Sequence, residues 1–169
     1  SHPVFVQELL EHFVHEDFIK ELDFSTLERL DKSFITDDFK EKESDLIYKI
    51  QYQGKDVYIY LLLEFQSTVD KYMALRMLRY ICEFYEYVVQ TKVTSLPPVF
   101  PVLLYNGDAK WTAKKNIKEL IENHIPGKYI PEFSYYPVLE NELSKNTLLS
   151  IKKALSAVFY IENSSPEEL

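Results

Sequence analysis

Two acidic residues stand at the ends of neighbouring apolar segments. Asp45 begins the first segment, and Glu64 and Gln66 lie at the end of the second. Two carboxylates a few ångströms apart repel each other when both are ionised, and a shared proton or a bound cation removes the repulsion. Hard oxygen ligands with open positions suit Mg²⁺, which keeps waters and binds phosphate. The residue types therefore indicate a Mg²⁺ site for phosphodiester chemistry; the alternative is two carboxylates solvated at exposed strand ends.

A β-hairpin would position these side chains. Residues 45–52 and 57–66 are rich in Ile, Val, Tyr and Leu, and residues 53–56 separate them. This pattern predicts two antiparallel strands joined by a tight turn. Gly54 can take the positive φ of a type II′ turn, which would make Gly54 and Lys55 the two turn residues.

That turn would fix the register of the hairpin. With Gly54 and Lys55 in the turn, Asp45 lies directly across from Glu64. Directly opposed residues point to the same face, with Cβ atoms about 4.5–5.5 Å apart. Gln66 is two residues beyond Glu64 and so shares the face. A slip of the pairing by one residue would send one carboxylate to the opposite face.

The remaining pattern predicts an α/β fold. Apolar residues at helical spacing predict a first helix within residues 4–22 and a long helix capped by Asp70 and ending near Gln90. The continuous apolar run 99–105 predicts a central strand covered on both faces, in which Pro101 favours a strand start or a bulge. Further predicted elements are a short strand near 33–35, a turn at 106–108, a short helix at 114–123, a strand at 133–138 and a helix at 144–161. Because strands alternate with helices after the hairpin, we expect a mixed central sheet with helices packed on it.

The charge of the chain is unevenly distributed. The net charge is −8, which argues against binding to nucleic acid. Residues 70–118, however, hold eight Lys or Arg and four Asp or Glu, so a local phosphate-facing surface is available. A solvated helix face explains the same residues without any ligand. The expected DNA contacts in this region are Arg76, Arg79, Lys110, Lys114 and Lys115.

Composition excludes several other classes of site. Three glycines and the absence of a Walker or dinucleotide motif exclude Gly-rich phosphate loops. The single cysteine, Cys82, excludes an internal disulfide and a Cys-based zinc site, and its apolar surroundings predict that it is buried. No serine lies in a Gly-x-Ser-x-Gly elbow. The four histidines lack the spacing of a zinc hydrolase, and a surface role is expected for His12 and His15.

Targeting signals are also lacking. The sequence contains no run of 18 apolar residues, which a membrane-spanning helix would require, so no membrane partner is expected. Ser1–Pro3 do not begin a secretory signal. We therefore expect a cytoplasmic protein with a single domain over residues 1–169, as a fragment of a longer chain.

Five sequence blocks occur in an order and at distances typical of one nuclease family. They are residues 44–50, 63–67, 70–71, 73–80 and 101–107. These blocks resemble the Rpn family of recombination-promoting nucleases, also described as YhgA-like transposases, within the PD-(D/E)XK nuclease superfamily. The likeness covers roughly residues 25–112.

The resemblance implies a PD-(D/E)XK nuclease-like core with named site residues. Asp45 and Glu64 would hold Mg²⁺, for which Mn²⁺ can substitute, and Gln66 would occupy the position of the superfamily's usual Lys. The Gln66 amide cannot act as a base, but it can orient a water or a ligand. The replacement removes a positive charge that Arg76 or Arg79 could supply.

The chain departs from the family pattern near its N-terminus. A His-Asp and Phe-Lys stretch that usually precedes the first helix is missing. The superfamily's additional acidic residue on that helix would be either Glu8 or Glu11, and the sequence does not choose between them.

Three functions are compatible with this sequence. The first is a Mg²⁺-dependent DNA endonuclease domain, with DNA as partner and a homodimer left open. The second is a nuclease-like fold without chemistry that serves as an interaction or dimerisation module, favoured by the charge of −8 and the missing Lys. The third is a phosphohydrolase of small nucleotides, which would share the metal and need no basic surface.

Overall fold

The structure, a computed structural model, describes residues 2–30, 45–64 and 68–139, together with Asn146, Leu149 and Lys153. The helices are α1 (His2–Phe13) and α2 (Met73–Gln90), and the short 3-10 helices are Asp17–Glu21, Ile117–Leu120 and Gly127–Tyr129. The strands are β1 (Leu22–Arg29), β2 (Asp45–Tyr52), β3 (Lys55–Glu64), β4 (Val99–Tyr105) and β5 (Tyr136–Leu139).

The five strands form one mixed sheet in the order β1-β2-β3-β4-β5. β1, β2 and β3 pair antiparallel, whereas β3, β4 and β5 run parallel. The predicted α/β class with a mixed sheet is confirmed, and the arrangement is compatible with a PD-(D/E)XK nuclease-like fold. α2 forms the crossover between the parallel strands β3 and β4, as parallel pairing requires.

The two helices cover opposite faces of the sheet. Alternate residues of a strand point to opposite faces, and β2 and β3 are apolar on both. One set packs with α1; it includes Leu46, Tyr48, Ile59, Leu61, Phe5 and Leu9. The other set packs with α2; it includes Ile47, Tyr60, Leu62, Met73, Met77 and Tyr80. This doubly covered sheet explains why the strands read as continuous apolar runs.

The N-terminal region differs from its prediction. α1 ends at Phe13 and a 3-10 helix follows it. The observed first helix is therefore shorter than the predicted range of residues 4–22. The sequence pattern also missed β1, because its register against β2 shifts between Asp23 and Glu28 and disturbs the alternation of apolar residues. The predicted strand near 33–35 lies outside the described residues.

The central elements follow the prediction more closely. α2 ends at Gln90 as expected and begins at Met73; Asp70 Oδ1 accepts from Tyr72 N at 2.9 Å, just before the helix. β4 spans the predicted run and pairs on both sides. The bulge considered at Pro101 is absent from the continuous β3–β4 register. Pairing with β5 begins only at Val102, so that ladder does not need the missing N–H of Pro101.

The later elements are shorter than predicted. The helix expected over 114–123 is a 3-10 helix at Ile117–Leu120, and the strand expected over 133–138 is Tyr136–Leu139. Of the helix expected over 144–161, the structure describes only Asn146, Leu149 and Lys153, which are helical.

Two surface features complete the fold. The prediction that Cys82 is buried is wrong: its side chain is exposed on α2, because the buried stripe of this helix runs through Ile81 and Phe84. In the described part of the chain, no helix has the length and apolar character needed to cross a bilayer.

Candidate active site

The hairpin turn decides the register of the two candidate carboxylates. Gln53 and Gly54 have φ of 51° and 75°, the two positive values that a type I′ turn requires. The prediction of a type II′ turn at Gly54 and Lys55 is therefore wrong, and Tyr52 pairs with Lys55. The I′ geometry matches the right-handed twist of the paired strands.

The changed register keeps the two carboxylates on one face. Asp45 pairs with Leu62 and not with Glu64. Moving a two-residue turn by one position shifts every pair by two residues, so the faces are preserved. Glu64 is thus the diagonal neighbour of Asp45, at about 7–8 Å between the two positions.

Both carboxylates are buried at one edge of the sheet. Asp45 is 0% exposed and Glu64 is 5% exposed, so neither is a solvated strand end. Asp45 begins β2, whereas Glu64 ends β3 beside Tyr105, the last residue of the parallel strand β4. Ligand sites of open α/β sheets lie at this carboxyl edge of the parallel strands.

Tyr60 is the partner of Asp45. It lies on β3 opposite Ile47, on the α2 face, and its hydroxyl donates a hydrogen bond to Asp45 Oδ2. Burial and the adjacent Asp45 carboxylate raise the pKa of the Tyr60 phenol, so the hydroxyl stays protonated and remains a donor. A charged acceptor strengthens such a bond.

Arg76 is the partner of Glu64. From the second turn of α2, its Nη1 lies 2.9 Å from Glu64 Oε2 and 3.6 Å from Asp70 Oδ2, and its Nε donates to the Tyr80 hydroxyl at 2.8 Å. Burial lowers the pKa of Arg76, but its bonds to Tyr80 and Glu64 outweigh burial and raise that pKa above its ordinary value. The guanidinium is therefore a permanent cation inside the site.

An aromatic stack joins the two carboxylate partners. The Tyr60 and Tyr80 rings lie 6.1 Å apart with an interplanar angle of 19°, and both side chains are fully buried. Polar and aromatic contacts thus run without interruption from Asp45 to Glu64. We call Asp45, Tyr60, Tyr80, Arg76 and Glu64 the carboxylate network.

The donor set of this network suits one divalent cation. Asp45, Glu64 and Asp70 carry three formal negative charges and Arg76 carries one positive charge, which leaves a formal −2. Carboxylate oxygens are the ligands that Mg²⁺ prefers, and one or two of them suffice when waters complete its shell. Over residues 2–30, 45–64 and 68–139, no group of three or more His, Cys, Asp or Glu side chains could hold a metal ion. Asp45 and Glu64 are the buried carboxylates of this described part, and they are the residues that could take part in a metal site.

The other predicted site residues are placed as follows. Gln66 lies outside the described residues. Arg79 is 61% exposed and pairs with Glu83 on the surface of α2 at 3.1 Å, so it does not reach Glu64. Glu8 and Glu11 are exposed on α1, whose buried side packs on the opposite face of the sheet.

The three predicted lysine contacts lie in the segment that follows β4. Lys110, Lys114 and Lys115 are exposed, and the segment starts beside the site because Asn106 N donates to Glu64 O at 2.9 Å. Exposure and this starting point are compatible with a phosphate-facing role.

Sequence reasoning missed Tyr60 and Asp70 as members of the site. Tyr60 precedes Glu64 by four residues and therefore shares its face of the strand, a signal that was available. The prediction that Asp70 caps α2 is wrong, because Tyr72 is the N-cap residue; Asp70 Oδ1 accepts from Tyr72 N, and its second oxygen faces Arg76. Of two buried tyrosines, Tyr80 joins the site, whereas Tyr48 packs on the α1 face.

A second aromatic group holds the lysine-bearing segment against the sheet. The Tyr105 hydroxyl donates to Ala109 O at 2.8 Å, and its ring lies 4.7 Å from that of Trp111. Trp111 Nε1 donates to the Tyr135 hydroxyl at 3.1 Å. These bonds fix the path of the chain directly after the strand end that borders Glu64.

Gly107 is required by this packing. A Cβ at Gly107 would overlap the Tyr105 phenol and lie 2.6 Å from its Cε2. Because Tyr105 is fully buried and bonded, Gly107→Ala should destabilise the protein by about 1–3 kcal/mol, the usual cost of overpacking. Gly127→Ala is the matched control: no atom lies within 4 Å of its added Cβ, and we expect a change within about 0.5 kcal/mol. Urea unfolding of the two variants measures the difference, and equal stabilities would contradict the assigned packing.

The chain is similar in sequence to known proteins. The family model described as "Putative transposase, YhgA-like" matches residues 1–162. Recombination-promoting nuclease RpnC of Escherichia coli K12 is 37% identical over 87 residues, 52% of this chain and 29% of the relative. Recombination-promoting nuclease RpnA of the same strain is 38% identical over 85 residues, 50% of this chain and 29% of the relative.

A further relative carries a different description. Inactive recombination-promoting nuclease-like protein RpnE of E. coli K12 is 29% identical over 106 residues, 63% of this chain and 36% of the relative. The chain thus spans about a third of the length of these curated relatives. No solved structure matches it. With the family model matching nearly every residue, the chain belongs to the YhgA-like transposase family, whose relatives include the recombination-promoting nucleases.

Proposed function

We propose that this chain is a metal-dependent DNA endonuclease domain that acts in the cytoplasm. One observation carries the proposal: two buried carboxylates, Asp45 and Glu64, share one sheet face at the edge where β3 and β4 end. Buried charges are costly unless they are paired or coordinate a metal. The relatives RpnC and RpnA are named recombination-promoting nucleases, which supports a nuclease function.

Each residue of the site has a role in this proposal. Asp45 and Glu64 hold Mg²⁺, or Mn²⁺ in its place, and Gln66 orients a water or a ligand. Arg76 replaces the positive charge of the superfamily's missing Lys. When bound, a divalent ion would polarise a coordinated water, which makes that water a better nucleophile, and would stabilise the charge that develops on the phosphate.

A plasmid assay tests this function. Supercoiled plasmid incubated with the purified protein should be nicked with Mg²⁺ or Mn²⁺ and left intact with EDTA. Because the proposed reaction would depend on a divalent ion held by Asp45 and Glu64, removal of the ion should reduce the rate to background. Cleavage that persists in EDTA, or no cleavage with either ion, would contradict the proposal.

The second candidate is an inert nuclease-like module. Two observations favour it: the relative RpnE is named inactive, and Arg76 already neutralises Glu64 at 2.9 Å. The two candidates differ in their response to metal. A ligand at 100 times its Kd stabilises the folded state by about 2.7 kcal/mol. If the chain is a nuclease, Mg²⁺ or Mn²⁺ should therefore raise the Tm of the protein. An inert module should show no shift in Tm with either ion. The Asp45→Asn variant should show no shift under either candidate function, because it lacks a proposed ligand.

DNA binding should depend on the exposed cations near the site. Each phosphate contact contributes a slope of about −0.9 to the plot of log K against log salt on duplex DNA. Changing Arg79, Lys110, Lys114 or Lys115 to Gln should flatten this slope by about one unit for each true contact. Lys55→Gln, an exposed residue at the hairpin turn and so at the opposite end of the strand from Glu64, is the control and should leave the slope unchanged. Equal losses from both groups would indicate diffuse attraction, and affinity independent of salt would favour the small-nucleotide or inert alternatives.

A further inference from the structure

The carboxylate network contains a residue whose contribution goes beyond the two ligands. We propose that Tyr60 is a positioning residue, which orients Asp45 for metal binding through its hydroxyl and so sets the affinity of the site for a divalent cation. The inference rests on the proposed function, because it assigns Asp45 as a metal ligand.

The first argument is the contact itself. The Tyr60 hydroxyl donates to Asp45 Oδ2, and both residues are fully buried on the α2 face. A hydrogen bond to one oxygen of a carboxylate fixes the orientation of the whole planar group. Residues that hydrogen-bond to ligating carboxylates in this way typically change metal affinity 10–100-fold when they are replaced.

The second argument is the rigidity of the donor. The Tyr60 ring stacks on Tyr80, and the Tyr80 hydroxyl accepts from Arg76 Nε at 2.8 Å. Arg76 in turn holds Glu64. A fully buried ring that packs on a fixed neighbour cannot follow a carboxylate that rotates, so it holds Asp45 in one orientation before any ion arrives. Such preorganisation improves affinity because less freedom is lost on binding.

The hairpin supplies a matched control for the hydroxyl. Tyr48 also lies on the hairpin and is 1% exposed, but its side chain faces α1. Its hydroxyl is buried and has no hydrogen-bond partner among the residues that the structure describes. Tyr60→Phe and Tyr48→Phe therefore each remove one buried phenolic oxygen from the same two strands, and only the first removes a bond to Asp45.

The experiment is a calorimetric titration of the full chain with MnCl₂ and with MgCl₂. Tyr60→Phe should raise the Kd about 10–100-fold relative to the wild type. Tyr48→Phe should bind both ions as the wild type does. Circular dichroism of both variants checks that the secondary structure is retained.

A second measurement covers the case in which Tyr60→Phe does not fold. Metal binding to Asp45 changes the surroundings of the Tyr60 phenol, so Mn²⁺ should produce a near-ultraviolet difference spectrum of tyrosine in the wild type. The same spectrum should appear in Tyr48→Phe. Its absence in a wild type that binds the ion would overturn the inference.

The possible failures are distinguishable. A wild type that binds no ion overturns the proposed function and the role of Tyr60 together. A wild type that binds the ion, with unchanged Kd in Tyr60→Phe, overturns the role of Tyr60 and leaves the proposed function standing.

Discussion

Replacing Asp45 or Glu64 by Ala should reduce metal-dependent cleavage by about 10³-fold or more. Each variant removes a proposed ligand, and a bound ion contributes several kcal/mol of transition-state stabilisation. Every 1.36 kcal/mol corresponds to a tenfold change in rate. Nicking of supercoiled plasmid at fixed protein concentration measures the loss.

The same variants should also be less stable. Relief of repulsion between two crowded carboxylates acts in the opposite direction, but we expect the loss of their hydrogen-bonding partners to outweigh it. Asp45→Ala leaves the buried Tyr60 hydroxyl without that acceptor, which costs about 1–3 kcal/mol. Asp56→Ala is the control, because Asp56 is an exposed acid near the turn end of β3. Full activity in Asp45→Ala or Glu64→Ala at matched purity would exclude the assigned roles.

Replacing Arg76 by Met should separate metal binding from catalysis. Without the guanidinium, the buried Glu64 loses a partly buried cation at 2.9 Å. We expect stability in EDTA to fall by about 3 kcal/mol, the low end for a broken buried pair, because Arg76 is 29% exposed. Metal affinity should increase, since a competing positive charge has left the site. Cleavage should nevertheless fall on the order of 10²-fold, as it does when a fixed donor to a developing charge is removed.

Arg79→Met is the matched control for this prediction. Arg79 lies three residues further along α2 and pairs with Glu83 at the surface. Loss of an exposed pair of this kind changes stability by about 0.3–0.5 kcal/mol. A double-mutant cycle with Glu64→Gln should show coupling of about 0.5–3 kcal/mol for Arg76 and none for Arg79. Equal effects of Arg76→Met and Arg79→Met on stability and metal affinity would contradict the Arg76–Glu64 pairing.

The hairpin shows how far residue patterns can carry a prediction. The two apolar segments and the polar residues between them were sufficient to predict β2 and β3 and the shared face of Asp45 and Glu64. The turn residues were assigned wrongly, because Gly54 fits either the first position of a type II′ turn or the second position of a type I′ turn. The prediction that Asp45 and Glu64 share a face remained correct despite this error, because both turns contain two residues.

The N-terminal third shows where patterns fail. β1 was missed because its irregular register against β2 disturbs the alternation on which strand prediction depends.

Cys82 was expected to be buried because its neighbours are apolar. Its exposure depends instead on which side of α2 faces the sheet, and a shift of one residue turns a helical position by about 100°.

The sequence by itself determined the residue types of the site, the strands that carry Asp45 and Glu64, and the face that they share. These properties follow from alternation along a strand, which is local. Only the tertiary structure decided what neutralises each carboxylate. Arg76 and not Arg79 meets Glu64, because Met73, Met77 and Tyr80 pack on the sheet and set the rotation of α2. Tyr60 meets Asp45 because Asp45 pairs with Leu62 and Ile47 with Tyr60, a hairpin register that the sequence pattern assigned wrongly.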